Sequence, residues 1–375
     1  MPHSDQRPAA ILLLLLLLAG PAGCRETTAT RPVWTLTESM RLGGADEGPT
    51  SFDYIKGIAV DTGGRIFVYD RSTQDIRLFS PSGTLVRVLG RVGSGPGEMR
   101  DAEGIVLAPD GKLWVRDAAN ARFSIFHATG EFERSWHMNF CSSQGMWDPR
   151  IDPSGRIIDQ DCAVVNDRAV GAAVLAYHTD LSRVDTVAEV PSCGTEALAE
   201  AGTWITKIQN GTSYRSIPYR AIYVSVLGPR GELWCAPNTT QYEIVRLMAG
   251  ATDTTRITRQ LEPIPVTPKE RDSVIAEIES RGPTGLDFSR IPAVKPTIER
   301  LTIDDEGRLW ARRTNGAGAI EFDIYSADGA PIATATLGSY RTSLWRPFVV
   351  RGDDLYAVVL DADDIEQVVR LRITR

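Results

Sequence analysis

Short apolar runs separated by glycine-bearing polar turns recur through most of the chain. The stretch Gly57-Ile58-Ala59-Val60-Asp61-Thr62-Gly63-Gly64-Arg65-Ile66-Phe67-Val68-Tyr69-Asp70 is echoed by Gly104-Ile105-Val106-Leu107-Ala108-Pro109-Asp110-Gly111-Lys112-Leu113-Trp114-Val115-Arg116-Asp117. Each copy is an apolar run, a turn, and a second run rich in β-branched and aromatic residues, which predicts a hairpin. The turn returns at Asp152 to Ile157, Gly228 to Trp234, Asp305 to Trp310 and, more loosely, Arg351 to Tyr356. The turn glycines 64, 111, 155, 231, 307 and 352 are spaced by 47, 44, 76, 76 and 45 residues. Six copies with a period in the forties and strands in every unit point to a propeller.

Two further strands complete each unit. Ile76 to Ser80 and Leu85 to Leu89 flank a Pro-Ser-Gly turn, and the same pattern returns at Phe123 to His127 with Glu131 to Trp136, and at Ile320 to Tyr325 with Pro331 to Leu337. The expected architecture is therefore all-β, a six-bladed β-propeller of four-stranded antiparallel blades. Val33 to Met40 alternates like a strand before the first repeat begins, and the sixth repeat ends one strand short. The N-terminal strand is expected to complete that last blade and close the ring, removing two exposed sheet edges.

The two long steps carry insertions at about 191–218 and 261–296. The first holds two strand-like runs around Asn210-Gly211, a hairpin signal. The second opens with Thr267-Pro268-Lys269-Glu270, a capping box with proline at the first helical position, and predicts a helix to about Ser280 whose apolar stripe is Val274, Ile275 and Ile278. Both insertions link the outer strand of one blade to the inner strand of the next, so both are expected on one face, on adjacent blades. Loops built up on a rigid scaffold are where function usually sits.

Composition narrows the setting. The 375 residues are 42% hydrophobic and 24% charged, as in an ordinary globular protein, and the net charge of -7 with no basic run excludes a nucleic-acid footprint. Ile11 followed by seven leucines reads as a signal-peptide core, too short for a bilayer span of about 20 residues. Pro21-Ala22-Gly23-Cys24 after it resembles the bacterial lipoprotein cleavage box, departing from it at Pro21. Residues 1–24 are thus expected to be a leader with Cys24 as the lipidation site, 25–32 a tether, and 33–375 the propeller, held extracytoplasmically in a bacterial cell envelope through a lipid anchor. The alternative is plain secretion. Cys141, Cys162, Cys193 and Cys235 remain in an oxidising compartment, where disulfides are allowed. Cys141 and Cys162 flank blade three near the elaborated face and are the preferred pair. Cys235 falls at a core position, and Cys193 could pair with either.

Three segments carry a resemblance to a family. Gly93-Ser94-Gly95-Pro96-Gly97-Glu98-Met99, Gly57 to Asp61, and Asp117-Ala118-Ala119-Asn120-Ala121-Arg122-Phe123 resemble the NHL-repeat six-bladed β-propellers, and the lipoprotein setting is similar to their bacterial extracytoplasmic members. The resemblance covers roughly residues 52–135. It implies the fold, and relatives that include protein-binding modules, ligand sensors and a few metal-dependent enzymes.

Candidate chemistry is sparse. Only His3, His127, His137 and His178 are present, too dispersed for a zinc site of three or four converging ligands. No Gly-x-Ser-x-Gly elbow occurs, and the glycine-rich loop at 90–97 introduces no helix to cradle phosphate. Asp70, Asp117 and Asp161 end the second strands of successive blades and are expected to accept N–H bonds in the turns that follow. Counting back from the turn glycines brings Lys56, Glu103, Trp147, Tyr223, Glu299 and Trp345 to one channel mouth. That ring suits a ligand of mixed polarity; equally, Lys56, Glu103 and Glu299 could pair across a wet channel.

The reading is a non-catalytic ligand- or protein-binding module without cofactor, whose partner is a protein or small molecule on the insertion-bearing face. The rival is a calcium-dependent, lactonase-like hydrolase with Glu103 and Glu299 as ligands.

Overall fold

The repeated turn is built by its first residue. Oδ1 of Asp61, Asp152 and Asp304 accepts the backbone N–H of Arg65, Arg156 and Arg308, at 2.8 Å in each case. Oδ2 accepts Nε of the same arginine at 2.6, 2.8 and 2.6 Å. A short carboxylate can close such a turn on its own backbone, and the chain then reverses through a left-handed glycine. Gly64, Gly155 and Gly307 have φ of 81°, 81° and 79°. In the fourth copy, which has Gly228 where the first, third and fifth have aspartate, the Glu232 carboxylate folds back instead. Its Oε2 accepts Arg230 N–H at 2.9 Å, and it fills the space a Cβ at 228 would need.

A computed structural model of the chain describes residues 31–44, 48–138, 148–165, 168–189, 202–208, 211–220, 224–237, 240–248, 254–280, 285–344 and 346–375. Strand β1 (Val33–Gly43) comes first. Blade one is β2 (Ile55–Val60), β3 (Ile66–Asp70), β4 (Asp75–Phe79) and β5 (Leu85–Leu89). Blade two is β6 (Ala102–Leu107), β7 (Leu113–Asp117), β8 (Arg122–Phe126) and β9 (Phe132–His137). Blade three is β10 (Arg150–Ile151), β11 (Ile157–Val165), β12 (Arg168–Tyr177) and β13 (Val184–Glu189), followed by the inserted hairpin β14 (Thr203–Ile208) and β15 (Gly211–Ser216). Blade four is β16 (Ser225–Leu227), β17 (Leu233–Cys235), β18 (Tyr242–Leu247) and β19 (Thr254–Arg259). After the helix Pro268–Ser280, blade five is β20 (Arg300–Ile303), β21 (Leu309–Thr314), β22 (Ile320–Tyr325) and β23 (Pro331–Gly338). Blade six is β24 (Phe348–Arg351), β25 (Asp354–Leu360), β26 (Glu366–Thr374) and β1. Within each blade the strands pair antiparallel in chain order, β1 being the outermost strand of the sixth.

Both faces of the inner strands are covered by neighbouring blades, so these strands are apolar on both sides. β3 and β7 are buried throughout. Trp114, Trp234 and Trp310 occupy the same place one residue after the turn leucine and are wholly buried.

The N-terminal strand closes the ring as expected, pairing Thr35 to Gly43 with β26. It does more than the sequence suggested. Val33 and Trp34 pair in parallel with Thr334 and Ala335 of β23, joining blades five and six into one eight-stranded sheet. Glu366 secures the seam between blades six and one: its Oε2 accepts Ile55 N–H at 2.6 Å, while its other oxygen pairs with Arg346, whose guanidinium lies 3.8 Å from the Tyr54 ring centre. Burial pushes the Glu366 carboxyl above its usual range, and the Ile55 N–H and Arg346 oppose that shift.

Asp70 and Asp117 bind the links arriving from the previous blade as well as the turns that follow them. Asp70 accepts N–H from Asp53, Tyr54 and Ser72 at 3.1, 3.2 and 2.9 Å, and only the last lies in the following turn. Asp117 accepts Arg100 N–H at 2.9 Å, the Asn120 amide at 2.8 Å and Arg122 Nε at 3.1 Å. Arg122 in turn donates to the carbonyls of Ser94, Gly95 and Glu98. The glycine-rich loop is thereby fastened to the Asp117 to Phe123 segment of the next blade. The side chain of Asp161 lies outside the described residues. Cys235 is buried, as expected, and disulfide-bonded. Cys24, Cys141, Cys193 and the side chain of Cys162 lie outside the described residues.

Candidate functional site: the central channel

The innermost strands of five blades and the turn of blade four line a cavity of about 760 Å³, formed by Gly57 to Thr62, Ile105 to Pro109, Asp148 to Pro153, Thr302 to Gly307 and Pro347 to Arg351, with Pro229 and Arg230. That volume is within the range of small-molecule sites, about 300–1,000 Å³. At the end where the inner strands turn back, the carboxylates of Asp61, Asp152 and Asp304 are spent on their own arginines.

At the other end, where the inner strands begin, the sequence placed Lys56, Glu103 and Glu299. Lys56 and Glu103 sit at matching β-bulges, where the pairing skips from Ile55 to Gly57 and from Ala102 to Gly104. A bulge re-aims the extra side chain. Here it brings Lys56 Nζ to 3.0 Å from Glu103 Oε2 across two blades, with the Glu103 side chain only 3% exposed. Glu299 is held within its own blade, accepting from Arg312 Nε at 3.2 Å and Thr314 Oγ1 at 2.6 Å. The pairing alternative thus describes Lys56 with Glu103, whereas Glu299 bonds locally. Trp147, Tyr223 and Trp345 lie outside the described residues. Blade six also turns through Gly352 and Asp353 alone, Arg351 pairing directly with Asp354, so counting from Gly352 does not carry the register of the longer turns. Among the described residues no group of three or more His, Cys, Asp or Glu side chains is placed to hold a metal ion.

Sequence reasoning missed the arginines of this channel. Arg150 pairs with Ile158 at the inner-strand position occupied by Ala59, Val106, Val226 and Thr302 in four other blades. Its Nη1 donates to Ile303 O of β20 at 2.9 Å, reaching from blade three to blade five. Arg300 stands opposite Arg312, where blades one and two have Gly57 opposite Tyr69 and Gly104 opposite Arg116. It donates to the carbonyls of Leu344 and Arg346. Arg300 and Arg312 line a small recess beside the channel, and Thr302, Pro347 and Phe348 line both spaces. Burial pushes all three guanidiniums below their ordinary range, and at Arg300 the charges of Arg312 and Arg150 push the same way. Asp148 opposes the shift at both Arg150 and Arg300. A charged residue at a position otherwise apolar or glycine was the available signal.

Glycine lets neighbouring inner strands approach closely at this end. A Cβ on Gly104 would lie 2.7 Å from Pro149 Cδ, and one on Gly57 would lie 3.0 Å from Ile105 Cγ1.

On the link face the two insertions merge. Trp204 and Ile217 of the first pack with Leu286 and Ile291 of the second, against Val274, Ile275 and Ile278 of the helix. Trp204 Nε1 donates to Asp287 O at 3.0 Å. The capping box forms as the sequence predicted: Thr267 N–H donates to Glu270 Oε2 at 2.9 Å and Glu270 N–H to Thr267 Oγ1 at 3.3 Å.

Comparison with known proteins agrees with this architecture. Residues 50–145 match a family described as a 6-bladed beta-propeller. A protein of Bacteroides fragilis described as exported shares 12% identity at a TM-score of 0.50, over 91% of this chain and 96% of that one. Virginiamycin B lyase from Staphylococcus aureus shares 13% identity at a TM-score of 0.48, over 91% and 100%. At such identities the likeness is one of fold. No curated protein matches the chain.

Proposed function

We propose that the chain is an exported, lipid-anchored propeller of NHL-repeat-like type that works as a non-catalytic binding module, presenting its link face and channel to a protein or small-molecule ligand. The observation that carries this reading is the fusion of the two insertions into one packed platform above a rigid ring. Separate loops would need ordering at each encounter, whereas a platform with its own core meets a partner already shaped. Two carboxylates that a calcium-dependent hydrolase would use, Glu103 and Glu299, are each engaged by a cation, which also favours binding over metal chemistry.

The test is the metal content of residues 25–375, purified without chelator and dialysed against metal-free buffer. The expected result is no tightly held divalent ion and no hydrolysis in a lactone and ester screen. About one retained calcium per chain, together with turnover of a lactone, would overturn the module reading.

A further inference from the structure

We infer that the channel takes a small amphipathic monocarboxylate, its head on Arg150 and its apolar body along the inner strands, an assignment that rests on the binding-module reading and names the ligand class.

The charge balance at the link end of the channel is the first reason. Lys56 with Glu103 and Arg312 with Glu299 are neutral pairs. Arg150 and Arg300 have no carboxylate within ion-pair distance among the described residues; each donates only to backbone carbonyls. The one carboxylate whose field acts on both is Asp148, which is exposed. Glu232 and Asp304 also act on Arg150, but each has an arginine of its own, Arg230 and Arg308, so among the described residues two guanidiniums face the one unpaired carboxylate of Asp148 and a single positive charge is left. A guanidinium enclosed by protein is costly unless an anion answers it, and its planar fork suits a carboxylate.

The second reason is donor capacity. Arg150 lines the large cavity, and among the described residues only its Nη1 makes a hydrogen bond, which leaves Nη2 free to donate. One Nη1 bond anchors the side chain to Ile303 O and so fixes the fork across the channel. The third reason is the wall. Ile105, Leu107, Ile151, Ile303, Phe348 and Val350 face the same cavity and offer an apolar body somewhere to lie.

The experiment is calorimetric titration of residues 25–375 with octanoate, octanol and octylamine in a low-salt buffer free of other carboxylates. The expected result is one octanoate per chain, with octanol at least tenfold weaker and no octylamine binding. Arg150→Ala places at this position the residue that blade one carries at Ala59, so the ring should still form, and octanoate affinity should fall at least tenfold. Asp148→Asn removes the opposing charge and should tighten octanoate about threefold or more, a gain that damage to the fold would not produce. Octanol binding as tightly as octanoate, or affinity unchanged in Arg150→Ala, or affinity lost in Asp148→Asn, or no octanoate binding at all, would each overturn the assignment. None of these outcomes touches the module reading, which falls instead to retained calcium with lactone turnover.

Discussion

Removing the Trp34 side chain tests whether ring closure by the N-terminal strand contributes to stability. Trp34 is 5% exposed and packs edge-on to Trp310 at 5.8 Å, with Arg308 and Arg375 at 5.3 and 5.2 Å from its ring centre. It belongs to the cluster that joins blades five and six. Truncating a buried tryptophan to alanine typically costs about 3–5 kcal/mol, the loss of transfer energy plus the cavity left behind. With an unfolding entropy of about 2.1 cal/mol/K per residue over a unit of about 340 residues, that corresponds to a fall in Tm of about 4–7 °C. The assay is scanning calorimetry on residues 25–375, with Val33→Ala as the control. Val33 neighbours Trp34 in the same strand but is 69% exposed, so its truncation should leave Tm within about 1 °C. A Trp34→Ala protein that melts with the Val33→Ala control would refute the claim that this strand locks the ring.

Two further outcomes follow from particular contacts. Gly104→Ala should destabilise by about 1–3 kcal/mol, because its Cβ would press on Pro149 at 2.7 Å, while Gly316→Ala, which meets nothing within 4 Å, should be near neutral; denaturant midpoints with unchanged slope would report both. Lys295 and the Thr267 cap hold the Glu270 carboxyl down at about 2. Its folded value is depressed, so its contribution is present above its unfolded range near pH 4.5 and is lost as pH falls toward 2. Hydrogen-exchange protection of the helix Pro268–Ser280 should weaken across that window in the native protein and stay flat there in Glu270→Gln.

The blade count, strand order and closure by β1 were legible because each rests on local periodicity: a glycine turn, two flanking apolar runs, and one strand left over at the N-terminus against one missing from the last repeat. The capping box and the hairpin of the insertions were legible for the same reason, since Thr267 with Glu270, and the runs flanking Asn210 and Gly211, act over a few residues. Lys56 and Glu103 were found by counting because both precede turns of equal length. Arg150 and Arg300 were passed over because their significance lies in what other blades put at the same place, and because their partners, Ile303 O and the carbonyls of Leu344 and Arg346, are distant in sequence or in another blade. Asp70 and Asp117 were assigned to the wrong neighbours in part, since a carboxylate at a strand end can reach either the turn ahead or the link arriving from the previous blade.

The sequence by itself determined the repeat, and with it the six-bladed ring, because short-range hydrophobic alternation and turn chemistry specify each blade before any blade meets another. Only the tertiary structure decided the rest. It decided that Val33 and Trp34 stitch two blades together, that Trp204 and the helix at 268–280 share one core, and that Arg150 crosses from blade three to blade five. These are contacts between segments far apart in the chain, made at the outer strands, between the insertions and, for Arg150, where several inner strands converge. Which charge there finds a partner is set by side chains brought within a few ångströms only once the ring has closed.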